Sequence, residues 1–92
     1  MNYTDKIKKD MYSAMKANQK VKANILRSLL AALKKAEIET KSELNEDEFF
    51  SVVKKMVKQL KESGEVYSKA GRDELAEKEK SELEIIQVYL PE

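Results

Sequence analysis

Between Phe49 and Ala70 the apolar residues return in alternating steps of four and three: Phe49, Val53, Met56, Leu60, Tyr67 and Ala70, with Ser63 filling the one polar place in the row. That 3.5-residue period is the seam of a long helix of coiled-coil type, and a strand, with its period of two, does not produce it. A helix of this length cannot bury such a stripe alone, so the rest of the chain must supply helical partners. Asn45 is placed to cap its start, and Glu48 three residues on completes a capping-box pair. Leu44 before the cap and Phe49 after it fit a hydrophobic staple, and Glu46 and Asp47 suit the positive end of the helix dipole. Gly71 is placed to end the helix in a left-handed conformation. Gly64, inside the helix, costs about 1 kcal/mol relative to alanine. It either permits a close helix approach or is a weak point.

The rest of the chain reads the same way. Two glycines, one proline and 38% charged residues point to an all-α chain. A first helix is predicted from about Asp5 to Ala17, with Thr4 as its cap, a core row of Ile7, Met11 and Met15, Tyr3 and Ala14 beside that row, and a break at Asn18-Gln19. A second runs from about Lys20 to Lys41. Its broad stripe of Val21, Ile25, Leu26, Leu29, Leu30, Leu33 and Ala36 should make it the most buried of the four. After the third, a fourth helix starts near Arg72-Asp73 and runs to Leu90, where Pro91 stops it. Leu75, Ala76, Leu83, Ile86 and Leu90 line its inner face, and Glu79 falls on the same row. The expected architecture is an antiparallel four-helix arrangement in one domain, residues 1–92. It is built on a long central hairpin of helices 2 and 3, with helices 1 and 4 packed along it.

Inventory removes most chemistry. Without histidine or cysteine there is no Ser-His-Asp triad, no cysteine nucleophile and no ordinary zinc site. No glycine-rich phosphate loop is present. We therefore expect no catalytic, cofactor-binding or metal-binding residue and no stand-alone activity. No apolar run approaches the roughly 20 residues that span a bilayer, so no membrane association is expected. The start lacks the apolar segment of a secretory signal, and the absence of cysteine suits a reducing compartment; both point to a cytoplasmic location.

The net charge of +1 conceals a split. Residues 1–41 hold 10 Lys/Arg against 4 Asp/Glu, a net +6; residues 42–92 hold 8 against 13, a net −5. Either the halves lie against each other or against a second copy, or the basic half is left for nucleic acid, or solvated faces simply segregate. Lys16, Lys20, Lys22, Arg27, Lys34 and Lys35, with Lys8 and Lys9 before them, are the candidate phosphate-facing residues. Tyr12, Tyr67 and Tyr89 read as core or edge packing rather than as base-stacking groups. Glu79 either reaches water from the edge of its stripe or is partly buried against a cation, for which Arg27 is the candidate.

Several segments resemble, in order, those of the YqeY-like family, relatives of the tail region of the GatB subunit of glutamine-dependent tRNA amidotransferases. Asp10-Met11-Tyr12-Ser13-Ala14-Met15-Lys16 resembles the family's opening helix, and Leu26-Arg27-Ser28-Leu29-Leu30-Ala31-Ala32-Leu33-Lys34 its core. Leu44-Asn45-Glu46-Asp47-Glu48 is similar to its helix cap. Lys58-Gln59-Leu60-Lys61-Glu62-Ser63 matches the stretch before Ala70-Gly71-Arg72; Glu79, Glu82-Leu83 and Tyr89-Leu90-Pro91 complete the set. Arg27, Gly71, Arg72, Glu79, Tyr89 and Pro91 stand out as its structural signature. Family members usually continue past Tyr-Leu-Pro into a second, tRNA-associated helical domain. That domain has no counterpart here, so the 92 residues are either an excised N-terminal domain or a short member.

The resemblance implies a non-catalytic accessory domain tied to carbon–nitrogen ligation with glutamine as amide donor. It would bind tRNA, or a translation or amidotransferase protein. The alternative is a protein–protein interaction module, a homodimer among the possibilities, that uses the charge split and the helix 3 seam.

Overall fold

A computed structural model describes residues 2–91; Met1 and Glu92 lie outside them. Four helices follow one another: α1 (Tyr3–Lys16), α2 (Lys20–Thr40), α3 (Glu46–Lys69) and α4 (Asp73–Gln87). No strand occurs among the described residues. The all-α four-helix architecture is thus the one expected. α1 lies along α2 and α4 along α3, while α2 and α3, expected as the central hairpin, approach each other less closely than either of those pairs. The closest backbone approaches fall within those two outer pairs, and α2 joins one pair to the other through α3 and α4.

The core explains this arrangement. Ile7 and Met11 of α1 meet Ile25, Leu26, Leu29, Leu30 and Leu33 of α2, and from the other side come Phe49, Val53, Val57 and Leu60 of α3 with Ile86 of α4. As expected, α2 buries the most residues. Leu44, in the connection before α3, is buried in the same cluster as Phe49, as a staple requires. Asn45 accepts from the Glu48 backbone N–H at 2.8 Å, and the Glu48 carboxylate accepts from the Asn45 N–H at 3.0 Å, so the capping box is complete.

Some expected details shift. α1 starts two residues early: Asn2 is its cap and accepts from the Asp5 N–H at 3.1 Å, while Thr4, the expected cap, is buried inside the helix. The early start brings Tyr3 onto Phe49, ring centroids 4.5 Å apart and nearly parallel. Met15 and Val21, expected in the core, lie on either side of the α1–α2 turn at 46% and 45% exposure. In α3 the buried row runs Phe49, Val53, Val57, Leu60, while Met56 is half-buried. Those steps of four, four and three describe a straight helix of period 3.6, which drifts off a 3.5-residue seam within a heptad or two. α4 ends at Gln87 rather than Leu90. Tyr89 and Leu90 N–H groups bond back three residues, to Ile86 and Gln87, tightening the last turn ahead of Pro91. Leu75, expected inside, is 40% exposed.

All three turns close on a left-handed residue: Asn18 (φ 58°), Lys41 (φ 58°) and Gly71 (φ 73°). At the last, the Arg72 N–H donates to Tyr67 O at 2.8 Å and the Gly71 N–H to Ser68 O at 3.1 Å, a Schellman motif. Gly71 therefore ends the helix as expected. Asn18 and Lys41 do the same work with a Cβ in place.

The molecule measures 42 × 28 × 25 Å, with a radius of gyration of 13.7 Å. A compact chain of this length would have about 12 Å. The excess lies at one end: no residue from Lys61 to Ile85 is fully buried. There the second half of α3 and the first part of α4 run on as an arm beyond the core. Gly64 sits in its seam, and a Cβ built on it would meet the Glu79 Cβ at 3.7 Å, an ordinary contact. Gly64 is therefore a weak point and not a steric necessity. Gly64→Ala should raise stability by about 1 kcal/mol. That corresponds to a melting temperature about 4–8 °C higher by circular dichroism; a lower one would show that the arm needs the closer approach.

Candidate nucleic-acid interface

α2 carries its cations on the side away from the core. Lys20, Arg27 and Lys34 are all exposed and lie seven residues apart. Seven residues are nearly two turns, so the three form one ridge at intervals of about 10 Å. Lys35 adjoins Lys34 and is exposed, as is Lys16, which ends α1 just before the turn into α2. Lys22 parts from the group. Two residues from Lys20, it is turned about 200° around the helix. It is half-buried and, together with Lys20, Val21, Glu84, Ile85 and Val88, lines an open groove between the first turn of α2 and the end of α4, so that Lys20 borders both ridge and groove. The structure thus brings five of the six candidate cations to the outer side of the α1–α2 hairpin and sends the sixth elsewhere.

A plainer signal was available in the sequence than the charge of whole halves. Between Asp10 and Glu37 there is no acidic residue, and the six candidate cations are the only charged side chains in that stretch. No carboxylate stands at i±3 or i±4 to neutralise Lys20 or Arg27 within their own helix; only at its far end do Glu37 and Glu39 come within reach of Lys34 and Lys35. α3 and α4 differ, with Lys58–Glu62, Lys61–Glu65 and Glu74–Lys78 spaced as i,i+4 pairs. Arg27 Nη1 lies 3.4 Å from Asn24 Oδ1, a long bond within the same turn, so its guanidinium is held by a local neighbour and not by Glu79.

Glu79 sits on a different seam, half-buried where α4 meets α3 at Gly64. Its neighbour Glu82 is half-buried as well. Burial pushes the Glu82 carboxyl above the usual range, the Glu79 charge pushes it the same way, and Lys78 partly offsets both. This carboxylate pair costs the fold something at neutral pH. Among the described residues no group of three or more acidic side chains is assembled to hold a metal. Nor, among those residues, is any helix long and apolar enough to cross a membrane.

Tyr89 closes the bundle. Its hydroxyl donates to Asp10 Oδ2 at 2.7 Å, tying the end of the chain to α1 across 79 residues. Burial first, and then the Asp10 carboxylate, raise its ionisation well above the ordinary 10.0. A raised folded-state value means that stability from this bond is complete below pH 10 and fades as the pH climbs beyond it. Tyr89→Phe should cost about 1 kcal/mol at pH 7, a hydrogen bond to a charged group discounted for its half-exposed site. The gap between wild type and variant should close above pH 10 in urea titrations; a gap that stays constant would deny the bond.

A family model described as Yqey-like protein matches residues 4–92. The chain belongs to the YqeY-like family. It is 38% identical, over 91% of its length, to altered inheritance of mitochondria protein 41, mitochondrial, of Vanderwaltozyma polyspora, covering 46% of that protein. The same-named protein of Eremothecium gossypii is 37% identical over 96% of this chain and 50% of its own length. An uncharacterized protein of Schizosaccharomyces pombe is 34% identical over 94% of the chain and 70% of its own. The chain thus spans about half the length of the first two relatives. Their names carry a mitochondrial location, and this overturns the cytoplasmic expectation. That expectation rested on a missing secretory segment, which says nothing of other targeting routes.

The YqeY signature residues divide by role. Gly71 and Arg72 close α3 through the Schellman bonds, and Tyr89 locks α4 to α1 ahead of Pro91. Glu79 lies in the α3–α4 seam. Arg27 is exposed on the basic ridge, and Arg72 and Pro91 are exposed as well.

Proposed function

We propose that this YqeY-like domain is a non-catalytic RNA-binding module whose α1–α2 hairpin faces the phosphate backbone of a structured RNA. The observation that carries this reading is the acid-free stretch between Asp10 and Glu37, folded so that Lys16, Lys20, Arg27, Lys34 and Lys35 stand exposed on the hairpin's outer side. Contacts of this kind position a protein on a backbone without reading sequence. The resemblance to the GatB tail region directs the choice of RNA to tRNA. Dimerisation through the α3 seam has less support, because Phe49, Val53 and Leu60 are already buried within one chain.

The test is a titration of fluorescent bulk tRNA at about 50 and 200 mM salt, with a scrambled RNA as competitor. Five phosphate contacts correspond to a log–log salt slope of about −4, a loss of a few hundred-fold between those conditions. A tRNA preference that survives the higher salt supports recognition of tRNA itself. Equal competition by the scrambled RNA reduces the function to backbone binding. No binding at either salt overturns the reading.

A further inference from the structure

α1 presents a second feature, on the face opposite its core residues Ile7, Met11 and Ala14. Tyr12, expected to pack inside or at an edge, is 48% exposed there. Lys8 stands one turn before it, Lys16 one turn after and Lys9 three residues before; all three are exposed. Together with Ser13 and Asp5 they line one shallow depression along the outer side of the helix. Asp5 lies i,i+3 from Lys8 and i,i+4 from Lys9; it offsets one of those two charges and leaves the surroundings of the ring positive. An aromatic face set between cations, open to solvent, has the composition of a base-stacking platform: the ring takes the base and the ammonium groups take the phosphates on either side. A duplex cannot use it, because paired bases are not free to leave the stack and lie on a side chain.

We propose that Tyr12, flanked by Lys8, Lys9 and Lys16, stacks an unpaired base of single-stranded RNA. This rests on the RNA-binding reading above and adds to it a second site with a different preference: the α2 ridge takes backbone of any form, and the α1 platform takes a single-stranded segment. Lys16 ends the platform, and Lys20 begins the ridge across the three-residue turn.

The experiment compares the full chain with Tyr12→Ala and Tyr12→Phe, using two fluorescein-labelled probes at one salt concentration: a uridine 12-mer and a duplex RNA of similar charge. Tyr12→Ala should weaken 12-mer binding at least about five-fold and leave duplex binding within two-fold, whereas Tyr12→Phe keeps the ring and should bind both as wild type does. The chain has no tryptophan, so the Tyr12→Trp variant provides a single indole whose emission should be quenched by the 12-mer and not by the duplex. Because Tyr12 is solvent-facing, these variants should fold normally, and a melt confirms it. Equal loss on both probes, or no loss on either, overturns the stacking site while leaving backbone binding intact. Failure of the wild type to bind either probe overturns both readings.

Discussion

Phe49→Ala should lower the melting temperature by more than about 12 °C. Phe49 is 2% exposed, heads the buried row of α3 and stacks on Tyr3 at 4.5 Å. Truncating a buried phenylalanine costs about 3–5 kcal/mol, and a domain of this size shifts by about 4–8 °C per kcal/mol. Total stability for 92 residues is of the order of 5–14 kcal/mol, so the loss is a large fraction of it. The same substitution removes the N4 partner of Leu44 and loosens the start of α3. Thermal and urea melts followed at 222 nm check it. A shift of only a few degrees would show that the junction of α1 and α3 is not part of the cooperative core.

The second large effect concerns the ridge. Lys20→Ala, Arg27→Ala and Lys34→Ala combined should reduce the salt slope of RNA binding by about 2–3, roughly one for each phosphate left without its cation. The weakening should be uniform across RNA sequences, because these cations carry no base readout. Lys55→Ala, Lys58→Ala and Lys61→Ala on α3 serve as the control with the same change in net charge. An equal loss in both triple variants would mean that overall charge, and not the α2 ridge, governs binding. All six lysine and arginine positions are exposed, so neither triple variant should unfold the protein.

Helix number, order and termini were legible in the sequence wherever local chemistry decides them. Asn45 with Glu48 and Gly71 act within a few residues of themselves, and the structure uses both as read, whereas α4 stops at Gln87, three residues short of the end expected from Pro91. What depends on distant parts of the chain was not legible. Nothing local shows that Met15 is left exposed at the end of α1, or that Val57 rather than Met56 turns inward. The Tyr89 hydroxyl finds its acceptor 79 residues away, beyond the reach of any spacing rule. The candidate interface was half legible. The cations form a set in the sequence, but helical phase turns Lys22 away from the row of Lys20, Arg27 and Lys34, and only Lys20 borders both that row and the groove beside α4. Tyr12 lies 100° around α1 from the buried Met11, which carries its ring to the edge of the buried face and to 48% exposure.

The arm beyond Leu60 has a consequence for motion. Residues 61–82 contribute no fully buried side chain and none of those packed on the core, so they should separate and re-form at a lower free energy than unfolding of the whole requires. Their amides should exchange with solvent far sooner than those of α2. Glu82 lies in this seam, and burial with the Glu79 charge raises its carboxyl in the closed form, so the protection of these amides, corrected for the intrinsic pH dependence of exchange, should rise in mild acid. The chain should therefore open in two stages, the seam between the far parts of α3 and α4 loosening before the hydrocarbon-sealed remainder gives way.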